Sequence, residues 1–428
     1  MNYPDSVHFL YSLGNEIKTA KLGLDRMALV LDALGRPQDR TSFVHVAGTN
    51  GKGSTCAMIE AALRIAGAHT GLFTSPHLAE PAERIRVDGQ PVSAEAFASL
   101  FERVHAKVEE LVQDGTLDTH TTYFETVTAM ALLAFAEERC DHVVLEVGLG
   151  GRLDATNVVA PELCVITPVD FDHEAWLGRS LEAIASEKAG ILKFGVPAVI
   201  AHQRPEAAAV IDEHIARLSV PASRLDGWST TNLELTARGS RFHLSGEREF
   251  DLICPLAGEH QAGNAATAAV ALTRLGISDA DIERGIAAAV WPGRLERLSE
   301  RPEIIVDGAH NPAGARALAA YIDRFYKNRN VTLIFGAMRD KALDEIGGIL
   351  FPRARHIILT APDQARAASP DAIRPLLDHP DVRVAPRLAE ALELVRAAAP
   401  DEVVFVTGSL FLVAEARAMV PVIIGTKR

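Results

Sequence analysis

The chain has few cysteines. Its 428 residues hold four, Cys56, Cys140, Cys164 and Cys254, and they lie far apart. That spacing suits neither a disulfide framework nor a zinc cluster and fits buried thiols in a reducing compartment. Positive charge is also scarce: 43 Lys and Arg stand against 56 Asp and Glu, a formal net charge of -13. A nucleic-acid binder would carry a basic field, so that class is set aside, and any anionic substrate needs a local cationic site. No apolar run approaches membrane-spanning length; the richest, Thr126 to Ala136, is too short. The first residues, Met1-Asn2-Tyr3-Pro4-Asp5, lack the basic and then apolar run of a secretory leader. The resulting expectation is a cytoplasmic protein with no membrane or nucleic-acid partner. With 48% hydrophobic and 23% charged residues it reads as globular, and its length exceeds what one core serves, so two domains are expected.

What is present begins with Val44-His45-Val46-Ala47-Gly48-Thr49-Asn50-Gly51-Lys52-Gly53-Ser54-Thr55. A short apolar strand meets three glycines, a lysine and two hydroxyls, and then the apolar-periodic run from Cys56 to Leu63. Strand, Gly-rich turn and helix start form the context of a phosphate-binding loop. Lys52 would reach the outer phosphates, and Ser54 or Thr55 would offer a hydroxyl to Mg²⁺. In the common pattern the hydroxyl residue directly follows the lysine; here Gly53 intervenes, the spacing of a subfamily.

Between about 40 and 200, the strand candidates Phe43–Val46, Thr70–Phe73, His142–Val147, Leu163–Thr167 and Pro197–Ala201 alternate with helical patterns. That alternation predicts a mostly parallel sheet covered by helices. Leu233–Leu244 and Phe250–Cys254 read as antiparallel strands at the sheet edge, followed by an alanine-rich helix from Gly258 to Arg274. Trp291-Pro292-Gly293-Arg294 marks a turn or linker. Beyond it five strands are predicted, at Glu303–Val306, Val331–Phe335, His356–Thr360, Val382–Ala385 and Glu402–Thr407. Asn311-Pro312 gives a helix start with Asn as cap and Pro at the first helical position. The fold class is therefore α/β: a P-loop, mostly parallel N-terminal ATPase domain (1–295) and a smaller Rossmann-like α/β C-terminal domain (296–428). A nucleotide site in the cleft between them is expected.

Several strand ends carry chemistry. Val143-Val144-Leu145-Glu146 places a carboxylate before a Gly-rich turn, where such folds hold Mg²⁺; a buried ion pair, for instance with Arg152, is the other reading. Asp154 either caps a helix or binds substrate. His173, beside Asp172, reads as metal ligand, proton carrier or structural residue. Lys188 falls on a helix with Leu181, Ile184 and Ile191 and, by residue type alone, belongs on a solvated face. Ser75, in Thr74-Ser75-Pro76-His77, offers a hydroxyl near the loop or simply makes a turn. Asn264, Arg294 and the strand end Asp307-Gly308-Ala309-His310 complete the candidates.

As an ordered set, Gly48-Thr49-Asn50-Gly51-Lys52-Gly53-Ser54, Ser75-Pro76-His77-Leu78, Tyr123-Phe124-Glu125, Glu146 to Asn157, Asp172-His173, Glu187-Lys188-Ala189-Gly190-Ile191, Pro292-Gly293-Arg294 and Asp307 to Pro312 resemble the folylpolyglutamate synthase/dihydrofolate synthase family of the Mur ligase group, of the bifunctional bacterial type. The resemblance implies an ADP-forming amide ligase that joins L-glutamate to dihydropteroate, to the γ-carboxylate of a reduced folate, or to both, through an acyl phosphate. It implies ATP bound by Gly48 to Thr55, Asn264, Arg294 and Asp307, with Lys52 on the β and γ phosphates. Two Mg²⁺ sites follow from Ser54, Ser75, Glu146, His173 and Lys188, the lysine being carbamylated. His310 would face the nucleotide or glutamate, and Thr122, Tyr123, Phe124, Glu125, Arg152, Leu153, Asp154 and Ala155 would line the pterin and pteroate pocket. The partners implied are small molecules, and the chain is expected to be a monomer. A cell-wall ligase acting on a UDP-muramoyl peptide would need an N-terminal domain for which the stretch before residue 48 is too short. A nucleotide switch would not need the second acid and histidine strand end.

Overall fold

A strand buried on both faces shows no alternation, and the nearly unbroken apolar runs of the first half are of that kind. In the computed structural model, which describes residues 1–13, 23–376, 378–396, 399 and 401–425, they become parallel strands. The parts of the two expected domains at 14–22, 377, 397–398, 400 and 426–428 lie outside the described residues. In chain order the strands are β1 (Ser42–Ala47), β2 (Thr70–Phe73), β3 (Ile85–Val87), β4 (Gln90–Pro91), β5 (His142–Glu146), β6 (Leu163–Ile166), β7 (Ala198–Ile200) and β8 (Ala222–Arg224). They form one sheet ordered β4-β3-β2-β5-β1-β6-β7-β8. All pairs from β2 to β8 are parallel, and β3 and β4 add an antiparallel edge that the sequence does not announce. The chain order reverses around β1, so the crevice beyond its carboxyl end is the place for a ligand.

The stretch expected at the sheet edge folds otherwise. β9 (Ser229–Thr236), β10 (Gly239–Ser245) and β11 (Glu249–Cys254) make a separate three-stranded sheet. Only two residues join β9 to β10, a connection that only antiparallel neighbours permit. Their half-buried alternation reflects a sheet with one wet face, which periodicity detects without naming its partner strands.

The last six strands are β12 (Glu296–Glu300), β13 (Glu303–Asp307), β14 (Asn330–Phe335), β15 (His356–Ala361), β16 (Val382–Arg387) and β17 (Glu402–Thr407), ordered β12-β13-β17-β14-β15-β16. The five predicted strands run parallel, and β12 pairs antiparallel with β13. Asn311 caps the helix Pro312–Phe325, accepting from the Gly314 N–H at 2.8 Å, as its sequence signature requires. The fold is thus the expected α/β class with two mainly parallel sheets. By its contacts the chain divides into two compact units. One comprises Met1–Asn232, Phe242–Ile253 and Gly263–Ala289; the other comprises Leu233–Arg241, Cys254–Ala262 and Val290–Arg428. Among the described residues no helix is long and apolar enough to cross a membrane.

Within the first unit, the helix Lys52–Ile65 is held by close packing. A Cβ added to Gly285, on the helix Asp279–Ala287, would lie 2.2 Å from the Ala62 Cα, so only glycine permits this approach. Gly285→Leu should therefore cost about 1–3 kcal/mol of stability through overpacking. Urea denaturation of the variant checks this, and an unchanged midpoint would contradict it.

Candidate active site

The loop after β1 is built from backbone hydrogen bonds before any ligand enters. Parallel register sets Val46 beside Glu146 and Ala47 beside Ile166, so the loops leaving β5, β1 and β6 emerge side by side. Thr49 and Asn50 donate their N–H groups to the Pro168 carbonyl at 3.0 and 3.3 Å. The Thr49 hydroxyl donates to the Asp170 carbonyl and accepts from the Asp170 N–H, at 2.9 and 3.0 Å. Gly51 then turns at φ +85°, and a Cβ there would fall 2.2 Å from the Asn264 Oδ1, so Asn264 lies directly against the loop. The helix begins at Lys52 with no side-chain cap. Its first-turn N–H groups, from Gly51 to Ser54, have no intrahelical acceptor and aim the positive end of the helix dipole at the crevice. The donors offered to an anion are thus those of the helix start. Ser54 and Thr55 are buried in this first turn.

Two lysines meet at the same carbonyl. Lys52 Nζ donates to the Gly48 oxygen at 3.1 Å and to that of Thr49 at 3.3 Å; Lys188 Nζ donates to Gly48 at 2.8 Å. Lys188 is only 4% exposed, which corrects the solvated-face reading. Its spacing from Leu181 and Ile184 puts it on the buried stripe of the helix Leu181–Ala189, so helical period outweighs residue type. Burial, and then the neighbouring Lys52 ammonium, push Lys188 down to about 7, while Asp172 and Asp154 pull the other way. His173 sits in the left-handed region at φ 53°, heading the short helix Glu174–Leu177, with its Nε2 3.9 Å from Asp172 Oδ1.

Glu146 is buried, and its Oε2 accepts from the Ser75 N–H at 3.1 Å, which joins two of the expected metal ligands. Arg152 is engaged by Glu187, with both contacts at about 3 Å: Nε to Oε1 is 3.0 Å and Nη2 to Oε1 is 2.9 Å. Asp154 proves to be a cap: it accepts from the N–H groups of Leu149 at 2.8 Å and Thr156 at 3.0 Å. Thr122 and Glu125 likewise close a capping box at the start of the helix Tyr123–Glu138, and Arg26 pairs with Glu125 at 3.1 Å. Phe124 packs against Phe73 and fills the space above Gly148, in the same apolar cluster as Tyr123 and Ala155. Leu153 lies in the turn before that cap. Sequence reasoning assigns His77 no role, although its motif was visible. The structure buries it between Tyr11 and Arg84, at 3.2 and 2.9 Å, and burial with the Arg84 charge pushes it down to about 3. Arg84 in turn lies over the Tyr123 ring, 5.0 Å from its centre.

In the second unit, Asp307 ends β13 with both carboxylate oxygens bonded, to the N–H groups of Leu295 and Ala309, each at 2.9 Å. Burial raises its pKa, and the nearby Arg294 opposes that shift. Arg294 donates to the Gly293 carbonyl, and His310 Nδ1 lies 2.7 Å from the Gly308 oxygen, which fixes the ring's N–H there. An acid, an arginine and an imidazole therefore gather at one strand end, as in the sequence pattern.

A parallel sheet with this glycine-offset phosphate loop, a strand-end carboxylate beside it, and a second α/β sheet with its own acid and arginine define a Mur ligase. The Mur ligase middle domain matches residues 46–272, and the Mur ligase glutamate ligase domain matches 293–410. The dihydrofolate synthase/folylpolyglutamate synthase of Bacillus subtilis is 37% identical over 93% of this chain and 94% of its own. A probable bifunctional folylpolyglutamate synthase/dihydropteroate synthase of Haloferax volcanii is also 37% identical, over 97% of this chain; the chain spans about half of that relative's length, 50%. A crystal structure of Mycobacterium tuberculosis folylpolyglutamate synthase, complexed with ADP and AMPPCP, superposes with a TM-score of 0.91 at 32% identity, covering 98% of this chain and 99% of the other. The chain belongs to the folylpolyglutamate synthase/dihydrofolate synthase family.

The Lys188 environment has a measurable consequence. Its unfolded-state pKa is the ordinary 10.5 and its folded value is about 7, so between these limits the unfolded chain binds more protons and stability rises with pH. In carbonate-free buffer, the stability difference between wild type and Lys188→Met should move in favour of wild type from pH 7 to pH 10. Denaturation at both pH values checks it; a difference that stays constant would place Lys188 in water.

Proposed function

We propose that this chain is an ATP-dependent, ADP-forming ligase that attaches L-glutamate to dihydropteroate, to the γ-carboxylate of a reduced folate, or to both. The observation that carries the reading is the pair of lysines on the Gly48 carbonyl, set within a family of glutamate ligases. A carboxylate is a poor acyl donor because its leaving group would be oxide. When its oxygen attacks the γ-phosphorus, ADP departs and an acyl phosphate forms. The glutamate amine then attacks the acyl carbon, phosphate leaves, and the amine gives up a proton. Such chemistry calls on the protein mainly for positioning and charge neutralisation.

In this reading Lys52 and the N–H groups from Gly51 to Ser54 hold the β and γ phosphates, with Gly48, Thr49, Asn50 and Thr55 shaping the loop. Asn264, Arg294 and Asp307 are assigned to the nucleotide, and His310 to the nucleotide or the incoming glutamate. The donor set fits Mg²⁺: the Ser54 and Ser75 hydroxyls and the Glu146 carboxylate are hard oxygens, with His173 as a softer neighbour. When bound, the metal supplies positive charge to the phosphates. Lys188 is the suitable residue for carbamylation, because an amine whose pKa is pushed to about 7 is substantially uncharged at neutral pH. An uncharged amine adds carbon dioxide and releases a proton, which turns a cation into an anionic oxygen donor. Thr122, Tyr123, Phe124, Glu125, Arg152, Leu153, Asp154 and Ala155 are assigned to the pteroate pocket, where Thr122, Glu125 and Asp154 also cap the helices that shape it. The ATP-binding part is taken as 1–295 and the glutamate-ligase part as 296–428, working as a cytoplasmic monomer on small molecules alone.

Phosphate release by the purified chain should require both L-glutamate and either dihydropteroate or tetrahydrofolate; release with neither, or only with a UDP-muramoyl peptide, would overturn the reading. Comparing the two pterin substrates decides whether one or both are used. Glu146→Ala should lower kcat roughly a hundredfold or more with the fold retained. Lys188→Ala should lose activity that short carboxylates partly restore, and full activity in either variant would make that residue structural.

A further inference from the structure

Far along the chain from the phosphate loop, two imidazoles and a carboxylate converge. His105 and Glu109 lie four residues apart on the helix Ala94–Gln113, so they share one face. His120 comes from the segment just before the cap of the helix Tyr123–Glu138. One ligand atom from each of the three lies within 4.8 Å of the others. His105 Nδ1 is 3.1 Å from His120 Nε2, and that nitrogen is 3.8 Å from Glu109 Oε1. Two Zn–N bonds at a tetrahedral angle would set their nitrogens roughly 3.3 Å apart, so the imidazole pair already has the required spacing.

The surroundings fix how these rings point. His120 Nδ1 faces the Thr121 carbonyl at 3.0 Å, an oxygen that only accepts. The Thr121 hydroxyl is also 3.3 Å from Nδ1, and a ring N–H given to the carbonyl leaves the Nε2 lone pair toward His105 and Glu109. A histidine bonded through its far nitrogen to a carbonyl is the usual support for a metal ligand. His105 stacks on Phe101 with ring centres 5.4 Å apart and planes at 9°, and Phe9 covers both imidazoles at 4.5 and 5.6 Å. Hydrocarbon thus walls one side, while the Glu109 side chain, 44% exposed, opens the other to solvent. Burial and the adjacent imidazole hold His105 below its ordinary value, with Glu109 opposing.

We propose that His105, Glu109 and His120 form a binding site for one divalent transition cation of the zinc type, held by two imidazole nitrogens and a carboxylate oxygen. Imidazole donors favour such ions over Mg²⁺. On binding, the proton that His105 Nδ1 shares with His120 moves to His105 Nε2, and the cation takes its place. The ion joins the helix Ala94–Gln113 to the segment that carries His120. Arg26 already ties that segment to the next helix through Thr119, the His120 carbonyl and Glu125, at 3.2, 3.4 and 3.1 Å. The site is a staple for this corner of the first unit.

The test is equilibrium binding of Zn²⁺ to the full chain in excess Mg²⁺, with hydrogen exchange read over residues 115–121. The expected result is one Zn²⁺ per chain, slower exchange in that segment, and affinity at least about tenfold weaker in Glu109→Gln. The double variant His105→Gln/His120→Gln should bind none there. Glu109 lies on the open side, so its variant reports on binding even if the double variant folds poorly. Unchanged stoichiometry and affinity in Glu109→Gln, or no slowing of exchange in 115–121, would overturn the proposal.

Discussion

One carbonyl oxygen, that of Gly48, organises the crevice beyond β1. It receives the ammonium of Lys52 and that of Lys188, and two like charges cannot share one acceptor in a buried place at full strength. Burial first, and then the Lys52 ammonium, loosen the proton on Lys188, the more enclosed of the two. Lys52, in the first turn of the helix, is the lysine proposed to meet the phosphates. Two features of the first unit go with the position of this oxygen. β1 must end beside β5 and β6, and the helix Leu181–Ala189 must turn its buried stripe toward the loop.

That dependence explains which parts of the molecule were legible in sequence. Runs such as Thr70–Phe73 and Glu402–Thr407 are buried strands whose length and flanking turns define them, and they appear with the same limits in the structure. Asn311-Pro312 was readable because a cap is a local device. β12 was not, since Glu296–Glu300 is polar and becomes a strand only by pairing with β13. The three-stranded sheet was half legible: its alternation could be seen, its choice of partners could not.

The candidate site divides along the same line. The loop, Glu146 and Asp307 announce themselves as strand ends with special residues. Lys188 required the decision to trust helical period over residue type, and Asp154, Thr122 and Glu125 carry the same side chains whether they touch substrate or cap a helix. Three-dimensional neighbours were needed to see that they cap helices here. His105, Glu109 and His120 show the opposite limit, because their meeting depends on how a loop folds back on a helix, which no local pattern encodes.

The bonds from Thr49 and Asn50 to the Pro168 carbonyl, with the reciprocal pair between Thr49 and Asp170, also bear on the association proposed for this loop. A loop whose amides must first be gathered around an anion loses chain entropy at the moment of binding, and that loss weakens affinity. Here the ordering happens during folding, because the loop's own neighbours supply the acceptors. The proposed binding step is then left with the helix start and the lysine charge.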